Sequence, residues 1–313
     1  MAETIVVAIG GNSLITDSAH ITVHDQYNAV VLTVENLCPL FTSDNKIAIV
    51  HGNGPQVGFI LRRSEIARSE LHMVPLDSCV ADTEGAIGYG IQMAIRNALH
   101  KRGRARQVAT VVTEVLVDVN DSAFADPTKP IGSFMNEEEA RRQQEKEGWN
   151  IREDAGRGWR RVVPSPVPQE IIEMPVIRKL VEDGTITIAV GGGGIPVIRD
   201  GEGLFSGVEA VIDKDLAAAM MAVELKADKF IISTAVEKVC LNFGKPNQRE
   251  LPVITVSEAR KYIEEGHFAK GSMLPKVEAM MNFVTRSGRI GIITDPEHLV
   301  ASMSGGAGTR IIP

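Results

Sequence analysis

Three strand-like runs in this chain end in bare backbone. TITIAV (185–190) gives way to Gly191, Gly192, Gly193 and Gly194, IVVAI (5–9) runs into Gly10-Gly11-Asn12-Ser13, and IAIV (47–50) runs into His51-Gly52-Asn53-Gly54-Pro55-Gln56. Glycine leaves its N–H unshielded, so an anion or small substrate can approach the main chain closely. Three such turns predict a site assembled at the C-terminal edge of a sheet, where open α/β folds place their ligands. Gly10-Gly11-Asn12 ends the first strand, the usual place for a phosphate or acid group. In the second turn two glycines flank an amide just ahead of Pro55, a residue suited to opening a helix.

Lysines beside acids form a second set. Asp213-Lys214-Asp215 precedes an apolar helical pattern, so two carboxylates can orient an ammonium and cap free N–H groups. Lys276 follows Gly271-Ser272-Met273-Leu274-Pro275, again in a first helical turn, and Lys129 sits between two prolines in Pro127-Thr128-Lys129-Pro130. Phosphoryl transfer needs such cations, because charge spreads over the migrating group while two anions are pressed together. Taken singly, each lysine reads as a surface residue.

Other chemistries find little support. No G-x-G-x-x-G or Walker loop is present, and there is no H-E-x-x-H pair or G-x-S-x-G elbow. His51 reads as a loop hydrogen-bonder, not a base. Cys38, Cys79 and Cys240 are unpatterned and read as buried or free thiols in a reducing compartment. No metal-ligand set is read. A net charge of −7 argues against a nucleic-acid surface, and no run approaches a membrane span. The start of the chain carries no secretory pattern, and a cytoplasmic location is expected.

The elements that must position these residues alternate from end to end. Helical patterns cover 25–41 (with Ala29, Val30, Leu32, Val34, Leu37 and Leu40 on one face), 83–102, 213–225 and 274–286, and strand-like runs include 107–113, 229–234 and 289–294. This predicts parallel strands with crossover helices on both faces. The 313 residues leave room for one large domain or two, with a substantial core. The stretch from about 120 to 168 breaks the pattern: it holds Trp149, Trp159 and a charge-dense block, and reads as a small subdomain, lid or dimer contact. Residues and spacing alone stop at an α/β enzyme handling a phosphorylated or acidic small molecule.

The segments VVAIGGNSL (6–14), HGNGPQVG (51–58), PTKPIG (127–132), GGGGIPV (191–197), VIDKDLA (211–217), NFGKPNQ (242–248) and GSMLPKVEA (271–279) together resemble carbamate kinase, in that family's order and across essentially the whole chain. The resemblance implies the amino-acid kinase fold, a three-layer α/β/α sandwich around an open, mainly parallel sheet with a small protruding subdomain. It implies an N-terminal carbamate or carbamoyl-phosphate half (1–205, with the subdomain at about 120–168), a C-terminal nucleotide half (206–313), and a homodimer. The implied reaction is reversible phosphoryl transfer between ATP and carbamate, giving ADP and carbamoyl phosphate with Mg²⁺. Its ATP-forming direction would serve the breakdown of a carbamoyl-yielding nitrogen compound such as arginine or a purine.

By motif match, Gly10, Gly11 and Asn12 would hold the transferred group, and Gly52, Asn53 and Gly54 would face the carbamoyl side. Lys129 would reach in from the subdomain, Lys214 and Lys276 would neutralise phosphates, and Asp215 would orient lysines. Ser233, Thr234, Cys240, Ser272, Met273 and Leu274 would line the nucleotide site. Ala8 stands where many amino-acid kinases carry lysine, an absence that carbamate kinases share. Carbamate is already an oxyanion, so no general base is required. Two segments depart from the family: Thr234-Ala235-Val236-Glu237-Lys238-Val239-Cys240 replaces T-D-V-D-x-V-Y, and Leu274 replaces glycine in G-S-M-G-P-K. Both bear on nucleotide binding: an aromatic is lost at Cys240 and bulk is added at Leu274. The alternatives left open are a kinase of the same fold acting on another small acid, and a non-catalytic paralogue that binds nucleotide or carbamoyl phosphate.

Overall fold

A computed structural model describes residues 2–10, 14, 22–154, 158–269 and 271–313. In chain order the described elements begin with β1 (Thr4–Ile9), α1 (Val23–Phe41), β2 (Lys46–His51), α2 (Gln56–Ala67), α3 (Leu76–Lys101), β3 (Val108–Thr110) and β4 (Glu114–Val117). Next come β5 (Lys129–Met135), α4 (Glu137–Glu147), β6 (Ile151–Glu153), β7 (Trp159–Val163), β8 (Pro168–Ile171), α5 (Met174–Glu182), β9 (Ile186–Ile188), β10 (Ile195–Arg199) and β11 (Phe205–Gly207). The last part holds α6 (Lys214–Glu224), β12 (Lys229–Ser233), β13 (Cys240–Leu241), β14 (Arg249–Glu250), β15 (Val253–Thr255), α7 (Val256–Glu264), α8 (Met273–Ser287), β16 (Ile290–Thr294), α9 (Leu299–Met303) and β17 (Thr309–Ile312).

The main sheet has eight strands in the order β15-β17-β16-β12-β1-β2-β9-β3, parallel throughout except where β17 runs against β16. That is the expected α/β/α architecture. Side chains alternate across a strand, and β1 shows what this does to the core. Ile5, Val7 and Ile9 join Val34, Leu37, Ile91 and Ile95 of α1 and α3 in one cluster, while Val6 and Ala8 join Ile177, Met221, Met280 and Phe283 of α5, α6 and α8 in another. A strand apolar on both faces must be covered on both, and each large aliphatic fully buried contributes about 1.5–3 kcal/mol.

Several boundaries depart from the sequence reading. The helix expected from 83 begins at Leu76, because Pro75 in extended geometry supplies its N-terminal boundary. Leu32, placed on the buried face of α1, is 64% exposed, since it lies off the stripe made by Ala29, Val30, Val34 and Leu37. Of the run 107–113 only Val108–Thr110 is strand, as β3; β4 starts beyond it at Glu114 and belongs to a second sheet ordered β11-β10-β4-β8. Within the excursion, β5, β7 and β6 form their own antiparallel sheet with α4 beside it. Trp149 is buried there.

Helix caps follow the residues present. Asp213 accepts the N–H of Asp215 (2.9 Å) at the start of α6, and Gly288 takes the left-handed conformation that closes α8.

Candidate active site

Register across the sheet brings the strand ends into one row. Ile9 pairs with His51 on one side and Ser233 on the other, and Ser233 pairs with Thr294. The three glycine turns therefore leave the same edge, as expected. Gly10 is half-buried there, and a Cβ on it would lie 3.1 Å from the carbonyl oxygen of Ser233. Gly11 and Asn12 lie outside the described residues.

The 191–194 turn is the hub. Val190, a β-branched residue, is held at φ +55°, a conformation that costs about 1–3 kcal/mol and persists where surroundings impose it. Gly192, Gly193 and Gly194 follow at φ +67°, +106° and +89°. A Cβ on Gly192 would meet Nδ2 of Asn53 at 2.5 Å, and one on Gly193 would meet the carbonyl oxygen of Ile212 at 2.6 Å. Only glycines let this turn press simultaneously on the 52–54 turn and on the residue leading into Asp213. Gly52 and Asn53 are buried, Gly54 is half-buried, and the Asn53 amide nitrogen is buried without a partner.

Charge gathers at the mouth of these turns. Nζ of Lys129 donates to Oδ2 of Asp213 (2.5 Å). Nζ of Lys214 donates to Oδ1 of Asp215 (2.6 Å), and Nζ of Lys276 to Oδ2 of the same carboxylate (3.2 Å). The three lysines picked from sequence thus meet in one cluster, from β5, α6 and α8. The expected pairing is corrected in one respect: Asp213 and Asp215 do not share an ammonium. Asp213 takes the subdomain's lysine and Asp215 takes the other two.

Burial alone would raise the Asp215 carboxyl, but Lys214 and Lys276 outweigh it and hold it below the ordinary value. Burial also opposes Asp213, and Lys129 again prevails and lowers it. Lys214 is pulled below its ordinary value by burial first, with the like charge of Lys276 adding to this and Asp215 opposing it.

Lys129 reaches this cluster because its hairpin is seated on α2. Gly58 packs directly on Gly132, and a Cβ on Gly58 would collide with that backbone. Beside it, Oε1 of Glu65 accepts from Nε1 of Trp149 (3.0 Å) and from Nη1 of Arg161 (2.5 Å), whose guanidinium lies 4.8 Å over the Trp149 ring. Gly58→Ala is expected to lift β5 off α2. Turnover should fall about tenfold or more, with stability reduced by about 1–3 kcal/mol, read by steady-state kinetics and chemical denaturation.

On the far side of the cluster lies a cavity of about 430 Å³ lined by Thr234, Cys240, Asn242, Phe243, Lys245, Ser272 and Met273 among others. Of the expected nucleotide residues, Thr234, Cys240, Ser272 and Met273 line it. Leu274 packs instead against the core on the α5–α8 side, and Ser233 is buried at the strand end with Oγ unpartnered. Two residues were missed. Thr294 ends β16 beside Ser233 with its own buried, unpartnered hydroxyl, a position the end of an apolar run marks. Phe243 is a 64% exposed aromatic on the cavity wall, three residues beyond Cys240.

The profile described as the amino acid kinase family matches residues 3–295. The carbamate kinase-like protein YahI of Escherichia coli K12 is 49% identical, covering 100% of this chain and 99% of its own. Carbamate kinase of Clostridium perfringens is 47% identical over 98% of this chain and 99% of its own. A structure of carbamate kinase from Giardia lamblia bound to AMP-PNP superposes with a TM-score of 0.91, at 39% identity, over 99% of this chain and 98% of that one. The chain belongs to the amino acid kinase family, in the branch of the carbamate kinases and their close relatives.

Proposed function

We propose that the chain is a carbamate kinase, transferring a phosphoryl group reversibly between ATP and carbamate, with ATP formation from ADP and carbamoyl phosphate as the working direction. The observation that carries this reading is the convergence of Lys129, Lys214 and Lys276, through Asp213 and Asp215, at the mouth of the glycine turns. Two anions brought together repel strongly at low dielectric, and three ammonium groups with turn N–H donors offset that repulsion where charge develops. No side chain has to remove a proton.

In this reading Gly10, Gly11 and Asn12 cradle the migrating group, and Gly52, Asn53 and Gly54 face the carbamoyl group. Lys129 closes over it from the subdomain. Lys214 and Lys276 neutralise the phosphates and Asp215 fixes their spacing. The nucleotide enters the cavity lined by Thr234, Cys240, Ser272 and Met273, where Phe243 offers a flat face to the base in place of the aromatic absent at Cys240. Ser233 and Leu274 act behind that wall. Mg²⁺ comes with the nucleotide as part of the substrate, since both central carboxylates are already engaged by lysines. The chain works as a cytoplasmic homodimer in nitrogen-compound breakdown. Three free, buried cysteines suit a reducing compartment, and exposed Val23 and Tyr89 beside an apolar cavity suit a subunit contact.

The test is ATP formation from ADP and carbamoyl phosphate in a coupled assay. Lys129→Ala is expected to lower kcat about 10²–10³-fold and to cost about 1–3 kcal/mol of stability, because Asp213 loses the partner that offsets its burial. Tight nucleotide binding with no ATP made would show instead a paralogue kept for binding, a reading that the replacements at Ala235 and Cys240 on the cavity wall favour. Turnover only with another acid would show a sister kinase.

A further inference from the structure

Helix α2 serves two parts of the site at once. Its first residue, Gln56, follows the 52–54 turn by way of Pro55, and its body carries the hairpin that bears Lys129. Val57, Leu61 and Glu65 recur at every fourth residue and so share one face of the helix. Val57 and Leu61 join Ile131 of β5 and Val163 of β7 in one buried cluster. Across the hairpin Lys129 pairs with Val163, and Ile131 with Arg161.

An acid stands where that stripe would continue with an apolar residue. Glu65 is 8% exposed. Its Oε2 accepts from Nη1 of Arg62 on the same helix (3.3 Å), while Oε1 takes the Trp149 indole N–H and Nη1 of Arg161. The guanidiniums of Arg62 and Arg161 lie 5.7 Å and 4.8 Å from the centre of the Trp149 ring. One carboxylate thus ties α2 both to β7 and to the residue that follows the end of α4.

We propose that Glu65 is a positioning residue: by gripping Trp149 and Arg161 it fixes where along α2 the β5–β7 hairpin sits, and with it the place Lys129 takes beside Asp213. The inference deepens the phosphotransfer reading and rests on it for its kinetic arm. Gly58 and Gly132 set how closely the hairpin approaches the helix. Glu65 sets its register.

Apolar contact is non-directional, so Val57, Leu61, Ile131 and Val163 hold the hairpin to α2 without fixing its register. A cavity of about 190 Å³ lined by Leu61, Glu65, Ile131, Phe134 and Trp149 among others remains at this seam, so packing leaves the hairpin room to shift. Hydrogen bonds to a buried carboxylate are directional and costly to break. Any slide of the hairpin would leave Glu65 out of water with Arg62 alone, and this singles out the docked position. The grip is transmitted within the hairpin, because Nη2 of Arg160 donates to the carbonyl oxygen of Gly132 (2.9 Å) and the strands move as one. Lys129 lies two residues from Ile131 on the same strand, and a misplacement of about 1 Å can cost about 10²-fold in rate.

The test is a double-mutant cycle with Lys129 in the ADP and carbamoyl phosphate assay. E65A should lower kcat about 10- to 30-fold in the parental chain. KM for ADP should change little, because the nucleotide cavity shares no residue with this seam. In the K129A chain the same change should cost less than about threefold, since the lysine it positions is gone. An equal fall in both backgrounds would overturn the proposal, as would parental kcat in E65A. E65Q keeps an oxygen for Trp149 but gives up the charge paired with Arg161, so its kcat should fall between those of the parent and E65A. R161M releases the same grip from the other side and should show the same dependence on Lys129. If E65A does not fold, E65Q and R161M taken through the cycle decide. Hydrogen exchange in the full chain reads the seam without catalysis: E65A should speed exchange at 129–135 and 159–163 and leave β1 and β12 at parental rates. Parental exchange in the hairpin would overturn the seating role. A parental chain that makes no ATP would overturn the phosphotransfer reading, while hydrogen exchange would still decide whether Glu65 seats the hairpin.

Discussion

Asp215→Ala is expected to lower turnover about 10²–10³-fold or more and to destabilise the chain by about 3–5 kcal/mol. Asp215 is 2% exposed, and its two oxygens hold Lys214 and Lys276. Without it, two ammonium groups drawn from different helices face each other with no anion between them. At an effective dielectric near 20, two unit charges about 4 Å apart repel by about 4 kcal/mol. The lysines would then swing apart or shed a proton, and either response removes the cations that phosphoryl transfer needs. Asp215→Asn separates shape from charge: it keeps the volume and the helix start, so it should lose nearly as much activity with a smaller loss of stability. Coupled-assay kinetics and urea denaturation read both. Parental turnover in Asp215→Ala would remove this carboxylate from any organising role.

Gly193→Ala should be comparably damaging, through the backbone. Its φ of +106° is open essentially to glycine alone, and the new methyl would stand 2.6 Å from the carbonyl oxygen of Ile212. Strain and overpacking together cost about 2–6 kcal/mol. The displaced segment leads directly into Asp213, Lys214 and Asp215, so kcat should fall about 100-fold. Gly103→Ala is the matched control, at φ +64° with nothing within 4 Å of the added carbon. It should cost about 1–2 kcal/mol and leave kcat unchanged. Equal activity in the two variants would show that the turn does not set the lysine geometry.

The chemistry was more legible in sequence than the framework holding it. Glycines after β-branched runs marked the sheet edge because their meaning is local: a strand that stops in bare backbone can do little else. Lysines at helix starts were visible for the same reason. Which carboxylate takes which lysine was not, because Lys129 and Asp213 are joined only when the hairpin folds back over α6. The Glu65 carboxyl gave no signal, since an acid in the run Arg62-Arg63-Ser64-Glu65 reads as a solvated position until Trp149 and Arg161 are brought against it. The extra strands β15 and β17 escaped notice because each is short and its partner lies far off in sequence. Leu274 was read as crowding the nucleotide, yet it is a half-buried residue in the first turn of α8 that packs against the edge of the core and does not line the cavity.

The placement of β1 has a consequence for synthesis. Thr4 finds its neighbour at Lys46, but the opposite flank of the strand waits for Lys229–Ser233. At ordinary translation speeds the interval between those two pairings is roughly 10–40 s. For that time a run of isoleucine and valine keeps an open edge of N–H and C=O groups, the type of surface that recruits other nascent chains. Yield on overexpression should therefore depend on chaperone supply and growth temperature more than on the finished protein's stability.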